Sequence, residues 1–240
     1  MVLFPVFFLA DAVFAVLFIR EGYPQSTKKG FAFKMIASAI FVANGLYAYF
    51  QSGKNAYGLT VLLALLLGFV GDIFLTFDPF LKDKSNKKLS TFFVVLGGVF
   101  FLAGHICYLL AFLRLLKASG TFRLPTFLCA LCAVPVVFAV VLLALKIHLK
   151  AFTVPVFLYA VAISSMFAAA VCLALHGHAG QPTLQVLLFA APLLFIVSDA
   201  SLVLKSFDQD RFGNLTMRAV NLGTYYLAQM LFGLSVLFLG

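Results

Sequence analysis

Residues 57–77 read Tyr57-Gly-Leu-Thr-Val-Leu-Leu-Ala-Leu-Leu-Leu-Gly-Phe-Val-Gly-Asp72-Ile-Phe-Leu-Thr-Phe77, an apolar run whose one charge is Asp72. A helix needs about 20 apolar residues to cross a bilayer core, so this stretch is long enough to span. A charge held at the centre of hydrocarbon costs roughly 2.5 to 3.5 kcal/mol on insertion scales. Charges therefore mark where spans stop, and a charge that stays inside one marks a site. Working outward on that rule, charge-free intervals run from Met35 to Gly53, Asn55 to Gly71, Leu89 to Leu113, Leu124 to Leu145, Ala151 to Ser198 and Ala219 to Gly240. The interval 151–198 is too long for one helix, and His176-Gly-His-Ala-Gly-Gln-Pro182 breaks it. The expected fold is all-α, a polytopic transmembrane bundle of eight helices near 3–19, 31–50, 57–77, 90–113, 125–146, 151–175, 183–204 and 219–240.

Composition agrees. The 240 residues are 64% hydrophobic and 10% charged, whereas a soluble domain is nearer half apolar and a quarter charged. That excludes a water-soluble domain and leaves one transmembrane domain over residues 1–240, with no room for a second. The excess of 17 Lys+Arg over 8 Asp+Glu reads as loop charge on a chain this apolar, not as a nucleic-acid surface. Arg20, Lys28, Lys29, Lys34, Lys82, Lys84, Lys87, Lys88, Lys146, Lys150, Lys205, Arg211 and Arg218 fall at the odd loops, against Lys54, Arg114, Lys117 and Arg123 on the other side. The positive-inside rule then puts the odd loops in the cytoplasm and both termini outside. The sequon Asn214-Leu-Thr216 would face the cytoplasm, unused. The N-terminus lacks a basic n-region and carries Asp11, so residues 3–19 read as a retained span rather than a signal peptide. Tyr23, Tyr47, Tyr49 and Tyr57 fall at span ends, as an interfacial belt would.

A shift of 127 residues carries Asp72 onto Asp199 and Leu75 onto Leu202, and lays spans one to four over five to eight. Four spans per half would make this a 4+4 parallel repeat about the membrane normal.

Asp72 stands about five residues from the cytoplasmic end of span three, roughly 7 Å deep at 1.5 Å per residue. Asp199, in Phe195-Ile-Val-Ser-Asp199-Ala-Ser-Leu202, stands at the same depth in span seven, which runs the same way. Two carboxylates at one level suit a general acid beside a base or cation stabiliser; the plain alternative is two separate helix-end acids paired with loop lysines. In span eight Asn221, Tyr225 and Gln229 recur every four residues and share a face. Such a stripe lines a polar cavity or serves as interhelical hydrogen-bond glue. His105 and Tyr108 face one way on span four, Lys34 is the first charge inside span two, and Asp11 lies at mid-depth in span one. Lys34 suits either a lipid phosphate or plain snorkelling to the interface. His148, His176 and His178 fall in loops, so no intramembrane metal-ligand set is expected, and no cofactor. Cys107, Cys129, Cys132 and Cys172 lie in apolar stretches and read as helix packing.

With Gly71-Asp72, His105-x-x-Tyr108, Ser198-Asp199 and Thr224-Tyr-Tyr-x-Ala-Gln229 in this order and spacing, the chain resembles the lysoplasmalogenase (YhhN-like) family from about Lys34 to Leu234; span one matches least. The resemblance implies an eight-helix membrane hydrolase that cleaves the vinyl-ether bond of lysoplasmalogens, giving a fatty aldehyde and glycerophospho-ethanolamine or -choline. It implies Asp72 and Asp199 as catalytic residues, with Lys34, His105, Tyr225, Tyr226 and Gln229 around the substrate; Tyr108 and Asn221 join that set from their faces. The expected partner is a lysophospholipid within the bilayer, and the expected location is a bacterial cytoplasmic membrane or the endoplasmic reticulum. The alternative class is a small-molecule or lipid transporter that uses the same buried acids for proton coupling; it calls for discontinuous helices at mid-membrane, and spans three and seven carry no clear mid-span break.

Overall fold

The computed structural model describes residues 3–21, 23, 27–77, 87–178 and 180–239, and in that part every regular element is helical. The elements are α1 (Phe4–Glu21), α2 (Lys28–Gln51), α3 (Ala56–Phe77), α4 (Lys87–Ser119), α5 (Leu124–Ala144), α6 (Thr153–Cys172), α7 (Pro182–Phe207), the one-turn α8 (Gln209–Phe212) and α9 (Leu215–Leu239). Lys82 and Lys84 of the expected basic loop lie outside the described residues.

Local chemistry accounts for the ends. Thr27 accepts from the Gly30 amide at 2.9 Å and caps α2, the exchange an N-cap threonine offers an orphan amide. Asn214, the sequon asparagine, accepts from the Met217 amide at 2.8 Å and starts α9 in the same way. A proline opens α5 and another opens α7, where the missing N–H costs nothing. α6 runs on through a turn of π-helix, Leu173–Gly177, and the expected break follows before Pro182 opens α7. Pro192, in contrast, sits inside α7 without ending it, and α3 is likewise continuous.

Seven of the helices, α2 to α7 and α9, are long and apolar enough to cross a membrane, and the chain is an integral membrane protein. The eighth expected span falls on α1, which has 18 residues and carries Asp11, Arg20 and Glu21. α1 packs on α2 and α9. The other neighbours are α2 with α3 and α9, α3 with α4 and α9, α4 with α6, α6 with α5 and α7, and α7 with α9. α5 packs on α6 and turns Val136, Val137, Val140 and Leu143 outward, as a lipid-facing helix does.

Close approach is set by small residues. At Gly97 of α4 an added Cβ would lie 3.2 Å from the Gly71 carbonyl oxygen and 2.9 Å from Leu75. α2 and α9 meet where Gly233 faces Asn44 and Gly45, and Asn44 donates to the Met230 carbonyl at 3.0 Å. One expectation is corrected here: Tyr57 does not sit in an interfacial belt. It is 6% exposed, and its hydroxyl lies 2.8 Å from Ser235 of α9, so it packs inside the bundle.

Gly97 and its neighbour Gly98, where an added Cβ meets nothing within 4 Å, make a controlled pair. Gly97→Val is expected to lower stability by about 1–3 kcal/mol, the range for overpacking, and to reduce the yield of monodisperse protein in detergent. Gly98→Val leaves both close to those of the parent.

Candidate active site

Three helices meet at Asp72, its own α3 with α2 and α9. Lys34 of α2 reaches its Oδ1 at 3.0 Å. Ser38, one turn further along α2, donates to Oδ2 at 2.7 Å, and Tyr225 of α9 donates to the same oxygen at 2.8 Å. Asp72 itself holds α3 locally, its backbone carbonyl accepting from Thr76 at 2.6 Å. Three donors on one carboxyl leave it the acceptor in every bond, so Asp72 is the carboxylate of this cluster. The polar chain continues outward along α9: Gln229 donates to the Tyr225 oxygen at 3.2 Å and accepts from Tyr108 of α4 at 2.7 Å. Gly68 of α3 leaves room for that amide, since a Cβ there would lie 2.5 Å from Gln229 Nε2.

Asp199 has a different set. Tyr159 of α6 donates to its Oδ2 at 2.6 Å, and His105 Nε2 of α4 lies 3.2 Å from the same oxygen and 2.8 Å from the Tyr159 hydroxyl. The His105 ring is 1% exposed with its Nδ1 unpartnered, while the Asp199 side chain is 18% exposed. Asp199 is thus the more open of the two acids; the Asp72 side chain is 3% exposed.

The two carboxyls are not hydrogen-bonded to one another; aromatic rings stand between their partners. Phe195 packs edge-on against His105, with centroids 4.5 Å apart, and against Tyr225 at 5.5 Å. α9 ties the two sets to one level. Asn221 donates to the Ser198 carbonyl at 2.8 Å, next to Asp199, and Tyr225, one turn on, reaches Asp72. A narrow gap lined by Ala64, Gly68, Gly104, His105, Tyr108 and Gln229, among others, runs beside these rings and has no room for a water molecule.

All nine residues singled out in the sequence are therefore placed. Lys34, Tyr225, Gln229 and Tyr108 form one hydrogen-bonded chain with Asp72; His105 belongs to Asp199; Asn221 sets the α7–α9 contact. Tyr226 is buried, its hydroxyl without a hydrogen bond and its ring against that of Tyr225. Lys34 does not snorkel. It is 6% exposed and turned into the bundle. Ser38 and Tyr159 escaped the sequence reading. Ser38 is signalled only by standing four residues after Lys34, and Tyr159 only as a phenol inside a long apolar run. No group of three His, Cys, Asp or Glu side chains that would hold a metal occurs among the described residues.

Removing one member of a buried ion pair costs about 3–5 kcal/mol because the other charge is left unpaired. Lys34→Met is expected to lower the unfolding free energy by that order. Lys34→Met combined with Asp72→Asn recovers most of the loss, read by thermal unfolding in detergent. An additive double mutant would show that the pair is not energetically coupled.

These short motifs sit within a longer likeness. No curated protein and no solved structure matches the chain. A family model described as the YhhN family matches residues 31–236, the span from the start of α2 nearly to the end of α9. By that match over most of its length, the chain belongs to the YhhN family.

Proposed function

We propose that the protein is a membrane-embedded hydrolase that cleaves the vinyl-ether bond of lysoplasmalogens, releasing a fatty aldehyde and glycerophospho-ethanolamine or -choline. What supports this reading is that two acids inside the bundle, Asp72 and Asp199, are held by different partners, with Phe195 packed against a partner of each. A vinyl ether resists base but hydrolyses once its outer alkene carbon is protonated. The oxocarbenium ion so formed is captured by water, and the resulting hemiacetal collapses to aldehyde and alcohol. That sequence calls for a proton donor, a fixed negative charge near the cation and a held water, the needs that paired carboxylates meet in glycosidases. Asp72, accepting three hydrogen bonds, supplies the fixed charge. The Asp199–His105–Tyr159 set, more open and with a free imidazole nitrogen, supplies the proton. Gln229 or Tyr225 holds the water once the gap has opened. The gap between the two sets widens on substrate entry, with Phe195 the ring that has to move.

Two finer readings go with this one. The helix neighbours support a 4+4 parallel repeat. Asp72 of α3 is held by α2 and α9, and Asp199 of α7 by α6 and α4; a half-chain shift exchanges those helices. The basic loops, and hence the end of the bundle nearer both acids, face the cytoplasm. The transporter reading loses ground because α3 and α7 are both continuous, whereas transporter sites commonly sit at broken helices.

Purified protein incubated with a lysoplasmenyl-ethanolamine and with its saturated ether analogue is expected to release aldehyde from the first alone. Asp72→Asn and Asp199→Asn should each cost at least about a hundredfold in rate, and the double mutant should be scarcely worse than the poorer single one, as for residues of one catalytic unit. Penalties that multiply would mean that the acids act separately. For orientation, a cysteine replacing Lys117 is expected to label from outside sealed cells and one replacing Lys150 to be protected; the reverse pattern would overturn the topology.

A further inference from the structure

Arg218 stands in the first turn of α9, seven residues before Tyr225. Seven residues make close to two full turns, so the two side chains leave one face of the helix, with Arg218 about 10 Å nearer its start. Asn221 lies between them on that face and is bonded to Ser198. The stripe that reaches Asp72 at Tyr225 thus begins with a cation.

That cation is held from α1. Arg218 Nε donates to the Ile19 carbonyl at 3.2 Å and Nη2 to the Phe18 carbonyl at 3.3 Å, and the guanidinium carbon is 4.6 Å from the Phe18 ring centroid. Both carbonyls belong to the last turn of α1, the end of a helix that attracts a cation. Capping uses only part of the group. A guanidinium has five N–H donors, and among the described residues Nη1 meets no acceptor and no carboxylate lies within ion-pair distance of Arg218. The two bonds to α1 occupy the Nε–Nη2 edge, which leaves the parallel N–H pair of the Nη1–Nη2 edge. The same Phe18 ring carries a second cation, Lys34, whose Nζ is 5.8 Å from its centroid. Lys34 and Arg218 are therefore no farther apart than their two distances to that ring together. Lys34 is committed to Asp72, whereas Arg218 keeps a free edge.

We propose that this free edge of Arg218 binds the phosphate of the lipid substrate. The inference rests on the hydrolase reading, which puts the ether oxygen beside Asp72 and Asp199. Three glycerol carbons and one ester oxygen separate that oxygen from phosphorus, a short span that leads along α9 toward the end of the bundle where the basic loops lie. Two parallel N–H bonds match two phosphate oxygens. Arg218 is half-buried, and a charge pair there is worth more than in bulk water. The α1 carbonyls orient the guanidinium, so α1 positions the headgroup contact without supplying a reacting group.

The test compares lipids with and without the phosphate. Full-length protein in dodecyl maltoside, a detergent that has no phosphate, is given lysoplasmenyl-ethanolamine or the corresponding alkenylglycerol. The parent is expected to prefer the phospholipid by at least about tenfold in kcat/KM, the order of one charge-assisted hydrogen bond, and Arg218→Gln to lose that preference. A guanidinium repels the headgroup ammonium, so a preference that depends on Arg218 belongs to the phosphate. The loss falls in KM rather than kcat, because the phosphate takes no part in the bond change. Arg218→Lys, with a point charge and no fork, falls between the two. A parent without the preference overturns the proposal. So does an Arg218→Gln protein that keeps it while both substrates slow equally, which would make Arg218 only a cap for α1. Thermal unfolding with a saturated ether lysophosphoethanolamine and with the matching alkylglycerol reads the same contact without turnover. The phospholipid is expected to raise the Tm further than the alkylglycerol in the parent but not in Arg218→Gln; equal shifts in the parent overturn the proposal. Should Arg218→Gln not fold, undiminished discrimination in Arg218→Lys overturns it. Inorganic phosphate alone is expected to leave the Tm where chloride of equal ionic strength leaves it, and a rise that depends on Arg218 would make this a free-anion site and overturn the headgroup assignment. A parent that releases no aldehyde sinks the hydrolase reading, and the Tm comparison then decides the role of Arg218 by itself.

Discussion

The requirement that a charge in hydrocarbon find a partner organises this bundle, and the Lys34–Asp72 ion pair is where it acts most strongly. An isolated carboxylate or ammonium at that depth is costly, so the α2–α3 contact brings both in together and Ser38 and Tyr225 satisfy what the pair leaves over. The consequence is geometric. Asp72 is fixed by three helices at once, and α9 has to present Tyr225 at the correct height. Asn221, Tyr225 and Gln229 share one face of α9, so placing Tyr225 also places Asn221 on α7 and Gln229 against Tyr108. The polar line through the molecule follows from one pairing rule applied along one helix.

The same rule separates the two acids by role. Asp72 is enclosed and fully partnered. Asp199 is partly open, and its partners, a phenol and an imidazole, can each give or take a proton. Phe195 touches both partner sets and keeps them apart in the closed bundle. In the proposed hydrolase that ring has to turn before a lipid enters between the two sets. Gly68 and Gly104 line the gap without a side chain of their own, which lets Gln229 and the Ala64 carbonyl approach them.

Much of this was legible in the sequence because hydrocarbon punishes charge so heavily. The positions of Asp, Glu, Lys and Arg located the apolar helices within a few residues, and the acids left inside them pointed to Asp72 and Asp199. Period-four spacing put Asn221, Tyr225 and Gln229 on one face, and all three are buried there. What the sequence did not disclose was pairing between helices. Asp72 and Asp199 at matched depth suggested one shared cavity, yet each takes partners from different helices, and spacing along a chain carries no information about which helices adjoin. Lys34 looked equally suited to snorkelling because a long flexible stem can turn either way; only the neighbouring carboxylate decides it. Tyr57 was read from its place at a span end, where the direction of the side chain is not visible, and Tyr159 offered no pattern beyond a single hydroxyl in an apolar run. α1 is the weakest case: it is only 18 residues long and carries three charges, Asp11, Arg20 and Glu21.

The central claim is that cleavage begins with proton transfer to carbon, so that water attacks the former vinyl carbon and the glycerol keeps its own oxygen. Hydrolysis of a lysoplasmenyl lipid in oxygen-18 water, with the glycerophospho product analysed by mass spectrometry, tests that claim. The account predicts a glycerol hydroxyl without the heavy oxygen. Solvent oxygen in that hydroxyl would mean that the bond breaks by attack on the glycerol side, and the paired-acid account would be wrong.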